Sequence, residues 1–193
     1  MTIAFVLGNG LSRANVDLLT LRNFGKIYGC NALYREFTPD ILVATDRPIS
    51  QAIQQSGYSK NNVFYTRKIL PDSNANSIPQ PYYGFSSGPA AVALAALHQH
   101  DQIYLLGFDL GPDSANKFNN LYAGTEFYKP KNSVQTYTGN WIKQISTITK
   151  NFPKIQFIRV MGGTSAVIPD FAYIKNFHSL PLDKFMSQYG CTG

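Results

Sequence analysis

Five polar marks stand where apolar runs begin or end, and their residue types suit the handling of a phosphorylated ligand. Gly8-Asn9-Gly10 follows the run at residues 2–7, Asn31 follows 25–29, Asp46 follows 41–45, and Asp109 follows QIYLL. Ser86-Ser87-Gly88 opens an alanine-rich stretch. A glycine-flanked turn can aim backbone N–H groups at a phosphate, or it can be a tight turn and nothing more. Hydroxyls and free N–H donors at a helix start suit an anion, although a plain N-cap needs no ligand. Asn31 can read a base or a ribose, or simply turn the chain. Asp46 and Asp109 can each hold a ribose or a metal, act as a general base, or cap the next segment.

Other side chains carry less. His98 and His100 close a helix, where the dipole favours cations, and read as structural. His178 is an outside candidate for a base. Tyr122, Tyr128 and Tyr137 lie in one long loop and can bond a leaving phosphate or pack that loop down. The dinucleotide fingerprint fails twice: Arg13 stands where its third glycine belongs, and Cys30-Asn31 replaces the ribose-binding acid. Walker A, HExxH and GxSxG patterns do not occur. Cys30 and Cys191 are too few for a disulfide framework or a zinc site, so no metal residue is expected.

The elements that must position these marks alternate in type. Strands are expected at 2–7, 25–29, 41–45, 62–66, 102–106 and 155–160. Helices are expected at 13–21, 48–55, 87–100, 139–151 and 183–189. Continuous rather than alternating apolar runs fit strands buried on both faces. The fold expected is α/β, a single doubly wound, mainly parallel Rossmann-like sheet over residues 1–193, forming one nucleotide-binding domain. Residues 69–84 carry three prolines and read as a surface loop. Residues 111–138 have no period, and so long a structureless stretch reads as a lid. In such sheets ligands bind beyond the carboxyl ends of the strands, where four of the five marks fall.

Composition sets the outer bounds. The 193 residues are 44% hydrophobic and 13% aromatic, enough for a core. Only 15% are charged, against roughly 25% in an average soluble chain, so amides and hydroxyls supply much of the polar surface. The net charge of +6 is spread over both halves with no basic run longer than Arg67-Lys68, which argues against a nucleic-acid footprint. A bias toward small anions such as a nucleotide is what it leaves. The most apolar stretch, 85–97, is shorter than the about 20 residues that span a bilayer. With no leader pattern at its start the protein is expected in the cytoplasm. A second subunit covering an exposed sheet edge or the lid is compatible with the sequence.

The succession FVLGNGLS, YGCNALY, FTPDILVATD and SSGPAAVALAAL with IYLLGFDLG resembles the bacterial sialyltransferases that use CMP-sialic acid. It looks still more like their motility-associated and hydroxymethylpterin-pyrophosphokinase-like relatives. Pro39, Asp40 and Asp46, with the later Met161-Gly162-Gly163-Thr164 and Ile168-Pro169, suit that second group; the likeness covers about residues 3–170. By this resemblance Asn9, Asn31, Ser87 and Gly88 hold the CMP portion, and Tyr122 or Tyr128 steadies the departing phosphate. The family's base is a histidine before the helix that follows the lid, yet Ser133–Asn140 has none. Asp46 is the replacement expected here. The function implied is a glycosyltransferase using a CMP-linked sugar donor on an unknown acceptor. The alternatives are Mg²⁺-dependent pyrophosphoryl transfer from ATP through Asp46 or Asp109, and a catalytically inactive nucleotide-binding module.

Overall fold

In the computed structural model, which describes residues 1–192, the two most apolar runs form the centre of one sheet. β1 (Ile3–Leu7) and β6 (Gln102–Leu106) pair in parallel along their whole length, from Ile3–Gln102 to Leu7–Leu106. Beyond β1 lie β2 (Lys26–Cys30), β3 (Ile41–Val43), β4 (Phe64–Thr66) and β5 (Asn76–Ser77); beyond β6 lie β7 (Gln156–Met161) and β8 (Phe177–Pro181). Every pairing is parallel, so the expected α/β, Rossmann-like class holds with no antiparallel strand in the sheet.

Successive strand residues face opposite sides, and the central strands use both. Ala4, Val6, Ile103 and Leu105 meet α4 (Ser87–Leu97) and α5 (Gly139–Asn151) in one core. Phe5, Leu7, Tyr104 and Leu106 meet α6 (Leu182–Tyr189) in the other. There Phe5 stacks on Tyr104 and meets Phe185 and Tyr189 edge-on. α4 is apolar all round, as a helix enclosed between a sheet and another helix must be. Its alanines let it lie close over the central strands.

Three local expectations are corrected. The helix at 13–21 is a 3₁₀ turn, Leu11–Arg13, followed by one helical turn, α1 (Leu18–Leu21), capped by the Asp17 carboxylate. A continuous helix is impossible because Arg13 turns inward and the chain at Asp17 bonds Cys191, its N–H donating to that carbonyl at 2.9 Å. β8 forms where no element was expected, and β5 interrupts the loop expected at 69–84. The remaining elements are α2 (Arg47–Gln55), the short α3 (Tyr58–Asn61) and 3₁₀ turns at Asn31–Arg35 and Pro169–Tyr173.

Residues 111–138 contain no helix or strand, as expected, but they form a packed cap rather than an open flap. Phe118, Tyr122 and Ala123 are buried. Leu121 N–H donates to Asn9 O at 2.8 Å, and Arg35 Nη1 donates to Thr125 Oγ1 at 2.9 Å. Among the described residues no helix is long and apolar enough to cross a membrane.

On β2 the Tyr28 hydroxyl lies between two imidazoles, 2.6 Å from His98 Nδ1 and 3.0 Å from His100 Nε2. Burial lowers both histidine pKa values; for His100 the charges of His98 and Lys26 add to it, against Asp101. The unfolded chain therefore takes up protons first as pH falls below about 6.5. Stability should be constant above that pH and decline from there toward pH 5. Urea midpoints across this range would show the decline, and H98Q/H100Q should flatten part of it. An unchanged slope in that double variant would contradict the assignment.

Candidate functional site

The chain winds away from β1 toward β2 on one side and returns at β6 on the other, so the strand order reverses between these two strands. A cleft of about 290 Å³ opens there at the carboxyl ends of the strands. This is the topological switch point at which open α/β sheets bind ligands. Gly8, Asn9, Gly10, Asn31 and Asp46 line it, as do Ser86, Ser87, Gly88 and Asp109. All five sequence marks thus meet in one place.

The glycine turn spends the N–H groups of Gly8 and Gly10 within the protein, leaving that of Asn9. Gly8 N–H donates to Leu106 O, Gly10 N–H to Gly107 O, Leu11 N–H to Asn119 Oδ1 and Ser12 N–H to Asp109 Oδ2. Those donors are consumed between loops. The glycines are there for close approach: a Cβ on Gly8 would stand 2.6 Å from Gly107 O, and one on Gly10 2.6 Å from the Asp109 carboxylate. Gly107 itself has φ +70°, a conformation that favours glycine.

Donors for an anion lie instead at the start of α4. Its first N–H groups have no intrahelical acceptor, and Pro89 leaves Ser87 and Gly88 as the two that project beyond the helix end. Ser86 holds the N-cap position, but its hydroxyl makes no capping bond. Its N–H is tied to Gln144 Oε1 at 2.9 Å, and Arg67 grips the carbonyls of Tyr83, Gly84 and Phe85 just before it. The Ser87 hydroxyl is engaged by Thr45, accepting from its N–H at 2.9 Å. Asp46 likewise stands at the N-cap of α2 without capping it. Its carboxylate is exposed to the cleft.

Asn9 is buried and held at both ends, its Nδ2 donating to Cys30 O at 3.0 Å and its Oδ1 accepting from Arg13 Nη2 at 2.8 Å. Asn31 has φ +54°, and its side-chain oxygen is buried without a protein donor. An unmet buried acceptor costs about 1–3 kcal/mol, which a donor on a ligand would recover.

Asp109 cannot act as the free base or metal ligand considered from sequence. Its carboxylate accepts from Ser12 N–H (3.0 Å) and Oγ, Asn119 Nδ2 (3.1 Å), Thr164 Oγ1 (2.7 Å) and Ser165 Oγ (3.1 Å). Five donors fill about four lone-pair sites. The group ties together the loops after β1, β6 and β7 and the cap.

Tyr122 and Tyr128 do not enter the cleft. The Tyr122 hydroxyl donates to Glu36 Oε1 at 2.6 Å, and the Tyr128 hydroxyl accepts from Ala32 N–H at 3.3 Å. Burial, with help from the Glu36 bond, pushes Tyr122 up to about 12. Burial also raises Tyr128 and pushes the Cys30 thiol up to about 12, so no thiolate faces the site. His178 lies on the edge strand beside Gln156, away from the cleft.

Sequence reasoning missed four contributors. Trp141, the sole tryptophan, reaches the cleft from α5, and Phe108 lies beneath Gly88. Arg13 and Arg159 are buried behind its floor. A charge inside the apolar run of β7 was a visible signal for Arg159, as was the displaced glycine for Arg13.

No family model matches the chain, and no curated protein does. Solved structures do resemble it. The monofunctional α-2,3-sialyltransferase Cst-I from Campylobacter jejuni aligns over 91% of this chain and 81% of its own, with 14% identity and a TM-score of 0.60. A single-site variant of the sialyltransferase CST-II in complex with CMP aligns over 99% of both chains, at 12% identity and a TM-score of 0.55. CST-II with a trisaccharide acceptor and CMP aligns over 82% and 80%, at 13% identity and a TM-score of 0.51. At these identities the likeness establishes the fold that the chains share.

Proposed function

We propose that the protein binds a CMP-linked sugar in this cleft and transfers the glycosyl group to an acceptor. The observation that carries the reading is the meeting of all five marks at the switch point, with donors and acceptors left over. Asn9 and Asn31 meet the nucleoside, and the N–H groups of Ser87 and Gly88 meet the phosphate. The bond from the anomeric carbon to the phosphate oxygen breaks and CMP departs. The acceptor hydroxyl forms the new bond and gives its proton to Asp46, the free carboxylate on the cleft. Tyr122 and Tyr128 hold the cap, and Asp109 positions the loops.

Charge favours one phosphate over two. The cleft walls carry no Lys or Arg, and two backbone donors suit a single phosphodiester charge. A triphosphate with Mg²⁺ takes one or two carboxylates from the protein, and with Asp109 filled the cleft offers Asp46 alone. That CMP sits in the CST-II structures supports the same ligand class.

A thermal-shift panel of CMP, CDP, UDP, GDP and ATP, with and without Mg²⁺, tests this. CMP at about a hundred times its Kd should add about 2.7 kcal/mol, or roughly 5–10 °C, without Mg²⁺. A shift only with ATP and Mg²⁺ would favour pyrophosphoryl transfer instead. No shift with any nucleotide would sink both readings.

A further inference from the structure

The cleft that we read as an anion site has no cation on its walls, yet two guanidinium groups lie directly behind its floor. Arg13 is 4% exposed: its Nε donates to Gly8 O at 2.6 Å and its Nη2 to Asn9 Oδ1 at 2.8 Å. Arg159 is 2% exposed and grips three carbonyls, Phe108 O and Asp109 O at 2.9 Å and Ala166 O at 2.7 Å. Gly8, Asn9, Phe108 and Asp109 are all cleft-lining residues, so each guanidinium lies one residue layer from the ligand space.

Neither has an ion-pair partner. Among the described residues the one ion pair is Arg22–Asp40, at 3.9 Å and on the surface. The Asp109 carboxylate is the acid near Arg159, and the exposed Glu36 reaches Arg13 only through the Tyr122 hydroxyl. Burial lowers Arg159 to about 10, against the opposing charge of Asp109, and it remains cationic at neutral pH. Burying an uncompensated charge is costly, and neutral carbonyls offset only part of that cost.

We infer that Arg13 and Arg159 are positioning residues that supply the positive field of the anion site from behind, across the loops after β1 and β6. They act in two ways. Each draws backbone carbonyls away from the cleft, so that their negative ends do not meet a bound phosphate. Each also leaves a charge in a medium of low dielectric, where it acts over several ångströms with little screening. A bound phosphate completes the charge balance that the fold leaves open. This explains how the displaced glycine of the turn became an arginine, and how an anion site can be lined by amides and hydroxyls. The inference rests on the proposed cleft and specifies where its affinity for phosphate originates.

The quantity to measure is the ratio of the cytidine Kd to the CMP Kd by calorimetry, which isolates the phosphate. In Arg13→Gln this ratio should fall about tenfold, whatever both ligands lose together through the freed Asn9 side chain. Arg13→Lys, which keeps the charge, should retain most of it. A residue that only shaped the loop would weaken both ligands alike, and an unchanged ratio in Arg13→Gln would overturn the inference. Should that variant not fold, the wild-type ratio between 50 and 500 mM NaCl decides. Buried charges predict a change below about threefold, whereas a loss of about tenfold or more would mean surface cations and contradict the account. If CMP and cytidine both fail to bind the wild-type protein, the cleft reading itself is wrong and this inference goes with it.

Discussion

Asp46→Asn is expected to leave CMP affinity within about threefold while slowing release of CMP from a CMP-linked sugar by about 10²–10⁴-fold. The expectation follows from where Asp46 stands. It follows β3, occupies the N-cap of α2 without capping it, and presents its carboxylate to the cleft. Having no structural bond to lose, the side chain can be neutralised with little effect on the fold. Asparagine keeps its size and polarity but cannot take a proton. A variant that turned over normally would remove Asp46 from the chemistry. One that lost CMP affinity by more than about tenfold would make it a binding residue instead.

Asp109→Ala should destabilise the protein by about 3–5 kcal/mol and abolish CMP binding. Five donors from two loops and the cap converge on this carboxylate, and they would be left unmet together. The variant also removes the negative charge that offsets the desolvation of Arg159. Asp109→Asn keeps an acceptor and the size, and should fall between alanine and wild type. Urea unfolding measures both, and a loss below about 1 kcal/mol in Asp109→Ala would show that the loops hold without it.

The legible parts of the fold were those dictated by burial. Residues 2–7 and 102–106 are apolar without a break because β1 and β6 are covered on both faces. Alanine-rich α4 announced itself through propensity and the absence of a polar side. β8 did not, because an edge strand reading FHSLP carries polar residues and a proline, and its pairing with β7 is long-range. The helix expected at 13–21 failed for a related reason. Arg13 suits a helix surface, but here it is spent on Gly8 and Asn9, contacts that no local pattern announces.

The site divides along the same line. Polar residues at strand ends were readable, since the topology of a parallel sheet gathers those ends on one side. What each residue does there depended on partners far away in sequence. Gly8 and Gly10 give their N–H groups to residues about 100 positions on, and Asp109 is filled from residues 12, 119, 164 and 165. Tyr122 and Tyr128 turn toward Glu36 and Ala32 instead of the cleft. Residue type suggested a polar site, and only the fold showed which polar groups remain unspent.

Titration of CMP into ¹⁵N-labelled protein, followed through its backbone amide spectrum, tests the central claim most directly. The account predicts saturable shifts led by the amides of Ser87, Gly88 and Asn9, with the Trp141 indole responding. Residues at the opposite ends of the strands, His100 and Asp101 among them, should stay unmoved. Largest shifts outside the cleft, or none at millimolar CMP, would contradict it.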